Sequence, residues 1–160
     1  MPMGTRGFSA HDMDIRALLP PPWPLLTPLM EASRKEGFRF LLRLEQEYRS
    51  GRVCFDAAGE TLLGAFEDSA LVAVGGLTRD SYGEDPRSGR VRHLYVLPEW
   101  RGRGIGRMLM AEIERRAGSQ FRALVLRTDT VAGARFYQAL GYELLPAGGT
   151  ATHRRSLIQE

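Results

Sequence analysis

Three glycines alternate with larger residues in Gly102-Arg103-Gly104-Ile105-Gly106, between an apolar run ending Leu94-Tyr95-Val96-Leu97-Pro98 and a helical pattern. Glycine at 102, 104 and 106 leaves a turn without β-carbons, where a backbone can bend sharply or come close to a ligand. The apolar residues that follow, Ile105, Met108, Leu109, Ile113 and Ala117, repeat at i, i+3 and i+4, so an amphipathic helix opens directly from the turn. Its first N–H groups have no intrahelical partner, and its dipole favours negative charge at that end. Arg101, Arg103 and Arg107 surround it with positive charge. The chemistry expected of such a turn is the binding of a phosphate or pyrophosphate.

Two common phosphate-binding patterns do not fit. A P-loop needs a lysine directly after its last glycine, and the only lysine of this chain is Lys35. A dinucleotide fingerprint needs glycine three residues after Gly104, where Arg107 stands, and the next strand-like run, Ala123 to Leu126, is followed by Arg127 and Thr128 rather than an acid. What remains, R-G-x-G-I-G after a strand ending V-x-P, resembles the acetyl-CoA signature of the GCN5-related N-acetyltransferase (GNAT) superfamily. A second segment, Gly133-Ala134-Arg135-Phe136-Tyr137-Gln138-Ala139-Leu140-Gly141-Tyr142, is similar to that family's A-x-x-F-Y-x-x-x-G-[FY] segment. Read by itself it is a short helix with an apolar face, stopped by Gly141.

The resemblance implies acetyl-CoA as cosubstrate, with no metal, and direct attack of an amine on the thioester. Such a reaction is helped by a base for the ammonium proton, donors for the developing oxyanion and a donor to the leaving sulfur. Carried over to matching positions, Leu94, Tyr95 and Val96 contact the pantetheine arm and thioester, the arm adding to an open strand edge. Arg101, Gly102, Arg103, Gly104, Ile105, Gly106 and Arg107 cradle the pyrophosphate. Tyr137 is the expected general acid. Thr130 stands where the family often has a cofactor-contacting asparagine; its hydroxyl also suits a helix cap. Gly133, where the family has alanine, permits close backbone approach to the cofactor.

The base is less defined. Family members often carry a glutamate four residues before the Leu of L-Y-V, and here that position is Arg90. His93 is the expected substitute, since imidazole titrates near neutrality; Glu84, Asp85 or a water relay are the alternatives. Strand alternation places Val91, His93 and Tyr95 on one face and Arg92, Leu94 and Val96 on the other.

The elements that position these residues follow from pattern. Asp14–Leu19 reads as a strand, ended by Pro20-Pro21-Pro22; residues 23–36 and the stretch from Phe38 to Tyr48 read as helices. Thr61–Glu67 and Leu71–Thr78 form a hairpin around Asp68-Ser69, and Arg79–Gly89 is a loop. Strand Arg90–Leu97, helix Ile105–Ala117, strand Arg122–Arg127, helix Val131–Leu140 and strands near Tyr142–Leu145 and Thr150–Leu157 complete the chain. The order β-αα-β-β-β-α-β-α-β-β predicts an α/β (α+β) acetyltransferase fold. Its central sheet is mixed, mostly antiparallel, splayed at its centre and flanked by helices.

The 160 residues suit one domain spanning 1–160, with a formal charge of +3 carried almost entirely by arginine. The arginines are scattered, without the aromatic-interleaved stripe of a nucleic-acid face. Cys54 is the only cysteine, and His11, His93 and His153 lack metal-ligand spacing. No secretory leader or membrane-length apolar run is present, so a cytoplasmic protein without membrane or nucleic-acid partners is expected. The expected acceptor is a small-molecule amine, held by residues 23–48, 79–89 and 146–150; a protein N-terminus is an alternative, and homodimer formation stays open. A non-catalytic acetyl-CoA or CoA sensor, or a dinucleotide enzyme using the same glycines, are readings of a different class.

Overall fold

The computed structural model describes residues 13–158; His11 lies outside them. The strands are β1 (Asp14–Ala17), β2 (Thr61–Glu67), β3 (Ala70–Arg79), β4 (Ser88–Val96), β5 (Ala123–Leu126), β6 (Glu143–Leu144) and β7 (His153–Ser156). The helices are α1 (Trp23–Lys35), α2 (Phe40–Arg49), α3 (Ile105–Ala117) and α4 (Val131–Ala139). This is the expected order, and α3 has the bounds that its apolar spacing dictates. A short 3-10 turn at Pro98–Trp100, which the sequence pattern did not signal, carries β4 into the glycine turn.

The strands form one sheet in the order β1-β2-β3-β4-β5-β7-β6. All neighbours are antiparallel except β4 and β5, which pair in parallel only through Ser88–Arg90 opposite Ala123–Val125. Beyond Arg90 the two strands part, and β5, paired along its whole length with β7 on its other edge, ends at Leu126 opposite His153. Val91–Val96 therefore have a strand partner on the β3 side alone.

Each face of the sheet carries its own core. On one, Leu63, Ala65, Leu77 and Val91 pack against Ile105, Leu109, Met110 and Ile113 of α3, with Tyr137 of α4 in the same cluster. On the other, Leu62, Val74, Tyr95 and Leu97 pack against Leu26 and Leu29 of α1 and Leu41 and Leu44 of α2.

The alternation expected along β4 fails at one point. The pairing of β3 with β4 shifts register between Val74 and Gly76, and His93 has φ +62°, so a bulge interrupts the strand. Val91 stays on the α3 side, while Arg92 reaches Glu47 of α2 and His93 reaches Phe40 and Phe55. The predicted grouping of Val91 with His93 is thus corrected, as is that of Arg92 with Leu94 and Val96. Gly75 and Gly76 permit this packing. A β-carbon at Gly75 would lie 3.1 Å from both Ile113 and Leu94, and one at Gly76 would lie 3.1 Å from Phe55 and 3.2 Å from the Arg92 carbonyl.

Candidate active site

The open edge of β4 and the N-terminus of α3 meet at the glycine turn. Main-chain groups of a strand alternate between its two edges. Leu97 N–H donates to Val72 on β3, so the main-chain groups of Val96 and, by the same parity, Leu94 face the gap left by β5. Tyr95 is opposite Val74 and spends its main-chain groups on β3. Tyr95, expected at the open edge with Leu94 and Val96, instead turns its main-chain groups to β3, which leaves Leu94 and Val96 facing the gap. The Tyr95 ring lies on the α1–α2 face, and its hydroxyl donates to Glu36.

Gly102 (φ +76°) and Gly104 (φ +82°) both occupy the left-handed region that side chains disfavour, and Gly104 is the residue preceding α3. No side chain caps α3, and its first turn carries no acid. The turn from Arg101 to Gly104 is exposed, which leaves the first N–H groups of α3 open to an anion. Gly106 has a packing reason: its β-carbon would lie 3.2 Å from the Phe136 ring and 3.7 Å from Val96, so α3, α4 and the edge of β4 converge there. Arg103 lies over the Trp100 ring at 4.8 Å, and Arg107 is exposed on the first turn of α3.

Arg101 differs from the expectation of a phosphate contact. Its Nε donates to the Val96 carbonyl (3.0 Å), and its two terminal nitrogens donate to the carboxylate of Glu36 at 2.7 and 2.8 Å. The guanidinium is thus engaged on the protein, and the Glu36 carboxyl is held below the usual carboxylate range, chiefly by that bond to Arg101.

Thr130 is likewise occupied, as the cap of α4: its hydroxyl accepts from Gly133 N–H at 3.0 Å. A β-carbon at Gly133 would lie 2.2 Å from Thr128 Oγ1 and 2.9 Å from Thr130 Oγ1. Glycine at this position therefore makes room for the cap, rather than for a ligand as expected.

Tyr137 lies buried between the rings of Phe136 and Tyr142, at centroid distances of 5.0 and 5.7 Å. Its hydroxyl makes no hydrogen bond among the described residues. Burial pushes its pKa well above that of a free phenol, so the group is neutral and a donor throughout the physiological range.

His93 does not suit the role of base. Its Nδ1 is 3.0 Å from the Phe40 carbonyl, which requires that this nitrogen carry the proton, and the unprotonated Nε2 is buried without a partner. Burial first, and then the Arg92 charge, push its pKa down to about 3 against a weaker opposing effect of the Phe40 bond. An imidazole this weak draws no proton from an ammonium group. The shift has a consequence for stability. The unfolded chain takes up a proton near pH 6.5 and the folded chain only near pH 3, so stability falls as pH drops through that window. The loss is about 1.4 kcal/mol per pH unit, or about 2 kcal/mol by pH 5. His93→Asn tolerates a positive φ and keeps a donor for the Phe40 carbonyl. Its thermal midpoint is expected to change less than that of the wild type between pH 6.5 and 5; parallel curves would show that His93 is not the titrating group.

Arg90, at the position where the resemblance places a glutamate, is buried and tied to its neighbours. Its Nε donates to Asp80 Oδ1 (2.9 Å), and its terminal nitrogens donate to the carbonyl and hydroxyl oxygens of Thr150 at 3.3 and 3.2 Å. The two loops that follow β3 and β6 are thereby joined, a contact that sequence reasoning missed. Acids within the expected acceptor segments 23–48 and 79–89 are also paired: Glu45 with Arg49, Glu47 with Arg92 and Asp80 with Arg90. Asp85 accepts from Arg87 N–H, and Glu84 is exposed with no hydrogen bond or ion pair among the described residues.

Comparison with known proteins agrees with this geometry. The family model of the acetyltransferase (GNAT) domain matches residues 58–144. A crystal structure of a proposed acetyltransferase from Exiguobacterium sp. 255-15 superposes with a TM-score of 0.78 at 31% identity, covering 91% of this chain and 93% of that one. The phosphinothricin acetyltransferase of Sinorhizobium meliloti, solved with acetyl-CoA, has a TM-score of 0.65 at 19% identity, covering 90% of this chain and 88% of that one. An uncharacterized protein of Mycobacterium leprae is 36% identical over 81 residues, 51% of this chain, which spans only 22% of that protein's length.

Proposed function

The chain belongs to the GNAT acetyltransferase family, and from that premise we propose that it moves an acetyl group from acetyl-CoA to a primary amine. The observation that carries the reading is the parting of β4 from β5 beside the uncapped, glycine-entered N-terminus of α3. That arrangement offers a strand edge for an amide-bearing arm and a nest of N–H groups for its phosphates. Gly102 to Arg107 would face the pyrophosphate, Leu94 and Val96 the pantetheine, and a main-chain N–H of that edge the thioester oxygen.

In the reaction the amine lone pair attacks the thioester carbon, and the C–S bond of the tetrahedral intermediate then breaks. The oxyanion is met by the β4 edge and the sulfur by Tyr137. A phenol less acidic than a thiol, whose ordinary pKa is about 8.5, does not surrender its proton fully to a thiolate. Tyr137 therefore stabilises the leaving sulfur as a hydrogen-bond donor, and the proton the thiol retains originates on the attacking nitrogen. It passes from that nitrogen to the sulfur by way of water, or of Glu84 or Asp85 in the exposed loop.

A single domain over 1–160, a small-molecule acceptor and a cytoplasmic location complete the reading; among the described residues no helix is long and apolar enough to cross a membrane. A second reading, a cofactor-binding sensor without turnover, is favoured by one observation: β4 carries no available base, since the glutamate position holds Arg90, a permanent cation, and His93 is sealed and neutral. Thiol release from acetyl-CoA across a panel of small amines and peptide N-termini separates the two. We expect acetyl-CoA to raise the thermal midpoint and NAD to leave it unchanged, with amine-dependent thiol release. Stabilisation without release on any amine would favour the sensor, and stabilisation by NAD alone would overturn both.

A further inference from the structure

Arg101 joins two parts of the proposed acetyl-CoA site, and its own position is set by a residue far away in sequence. It immediately precedes the glycine turn, yet its Nε returns to the Val96 carbonyl at the mouth of the open strand edge (3.0 Å). This bond closes the chain from Val96 to Arg101 into a ring through the 3-10 turn. The other side of the guanidinium is gripped by both oxygens of Glu36 at 2.7 and 2.8 Å, and Tyr95 places its hydroxyl on the same carboxylate. The guanidinium also lies over the Tyr95 ring at 5.3 Å. Glu36 is itself anchored: it ends α1, and its N–H bonds to the carbonyls of Ala32 and Ser33.

A ligand that spans the strand edge and the phosphate nest binds best when the two are already held at the right separation, because the ordering cost is then met before binding. We infer that Glu36 is a positioning residue for the cofactor: through Arg101 it holds the glycine turn against the edge of β4. The inference rests on the acetyl-CoA reading above. A planar guanidinium with three committed N–H groups fixes direction as well as distance, which a lone ammonium would not.

The opposite effect is physically available, and that makes the inference testable. Glu36 is also a negative charge on the side chain next to a phosphate site. If Arg101 were a phosphate ligand that Glu36 merely restrains, removing the carboxylate would tighten CoA binding. Glu36→Gln, Arg101→Gln and the double variant should be titrated calorimetrically with CoA, with unliganded thermal midpoints recorded to separate folding from affinity. The expected result is a loss of affinity of about 5- to 10-fold for Glu36→Gln, and no further loss when it is added to Arg101→Gln. A purely structural role would lower the unliganded midpoint without this dependence on Arg101. Equal or tighter CoA binding by Glu36→Gln, or losses that multiply in the double variant, would overturn the inference while leaving the acetyl-CoA reading intact. Failure of the wild-type protein to bind CoA would overturn that reading, and the inference with it.

Discussion

Gly104→Glu is expected to eliminate the stabilisation by acetyl-CoA altogether. Gly104 has φ +82° at the entry to α3, and no cap or acid occupies the first turn of that helix. Glutamate there does two things. It forces a side chain into the left-handed region, at about 1–2 kcal/mol, and it sets a carboxylate where the N–H groups would receive phosphate. At a ligand concentration 100 times its Kd, the wild-type protein gains about 2.7 kcal/mol from binding, which a thermal scan reads directly. The variant should fold with a lower midpoint and show no shift on adding acetyl-CoA. Gly104→Asn separates the two causes, since asparagine tolerates this backbone region and brings no charge; it should keep part of the shift. A full shift in Gly104→Glu would place the phosphate site elsewhere.

Tyr137→Phe should lower turnover by roughly 10²-fold, the range expected for loss of a positioned hydrogen-bond donor to a developing negative charge, with acetyl-CoA affinity retained. The environment of Tyr137 sharpens this expectation. Its ring is buried among aromatic rings, and its hydroxyl makes no hydrogen bond among the described residues. A hydroxyl without a protein partner adds no hydrogen bond to the fold, so replacing it with phenylalanine should leave the unliganded protein about as stable as before. Lower activity joined to unchanged stability is the signature of a group kept for chemistry. Full activity per folded molecule, measured with an amine found in the panel, would remove Tyr137 from the reaction.

Much of this architecture can be read from local pattern. The i, i+3, i+4 stripe fixed both ends of α3, and the glycine alternation located its N-terminus and the left-handed turn before it. The departures have a common cause in contacts between distant residues. The bulge at His93 depends on Gly75 and Gly76 across the ladder, so period-2 alternation along β4 alone assigned Val91 and Arg92 to the wrong neighbours. Arg101 stands among residues that read as a phosphate cradle, yet its partner is Glu36 on the first helix. Arg90 reaches Asp80 and Thr150, two loops whose proximity follows only from the order of strands in the sheet. A long, forked cation selects its partner in three dimensions, and spacing along the chain carries little information about that selection. Glycine is easier to read because what it permits is local; Gly133, whose role is to clear Thr128 and Thr130, shows that even then the beneficiary need not be a ligand.

The divergence of β4 from β5 also bears on how the molecule avoids its own kind. Val91–Val96 form an unpaired edge inside a sheet, and unpaired edges invite strand addition by other chains, the first step towards aggregation. Here the bulge at His93 twists the middle of that edge, and the Arg101 side chain occupies its last carbonyl, at Val96. An intruding β-strand needs an unbroken ladder of donors and acceptors, and it meets an interruption and a bulky cation. A slender arm with only two amides needs far fewer of those groups. On the proposed reading, the features that leave room for such an arm are the ones that stand in the way of an added strand.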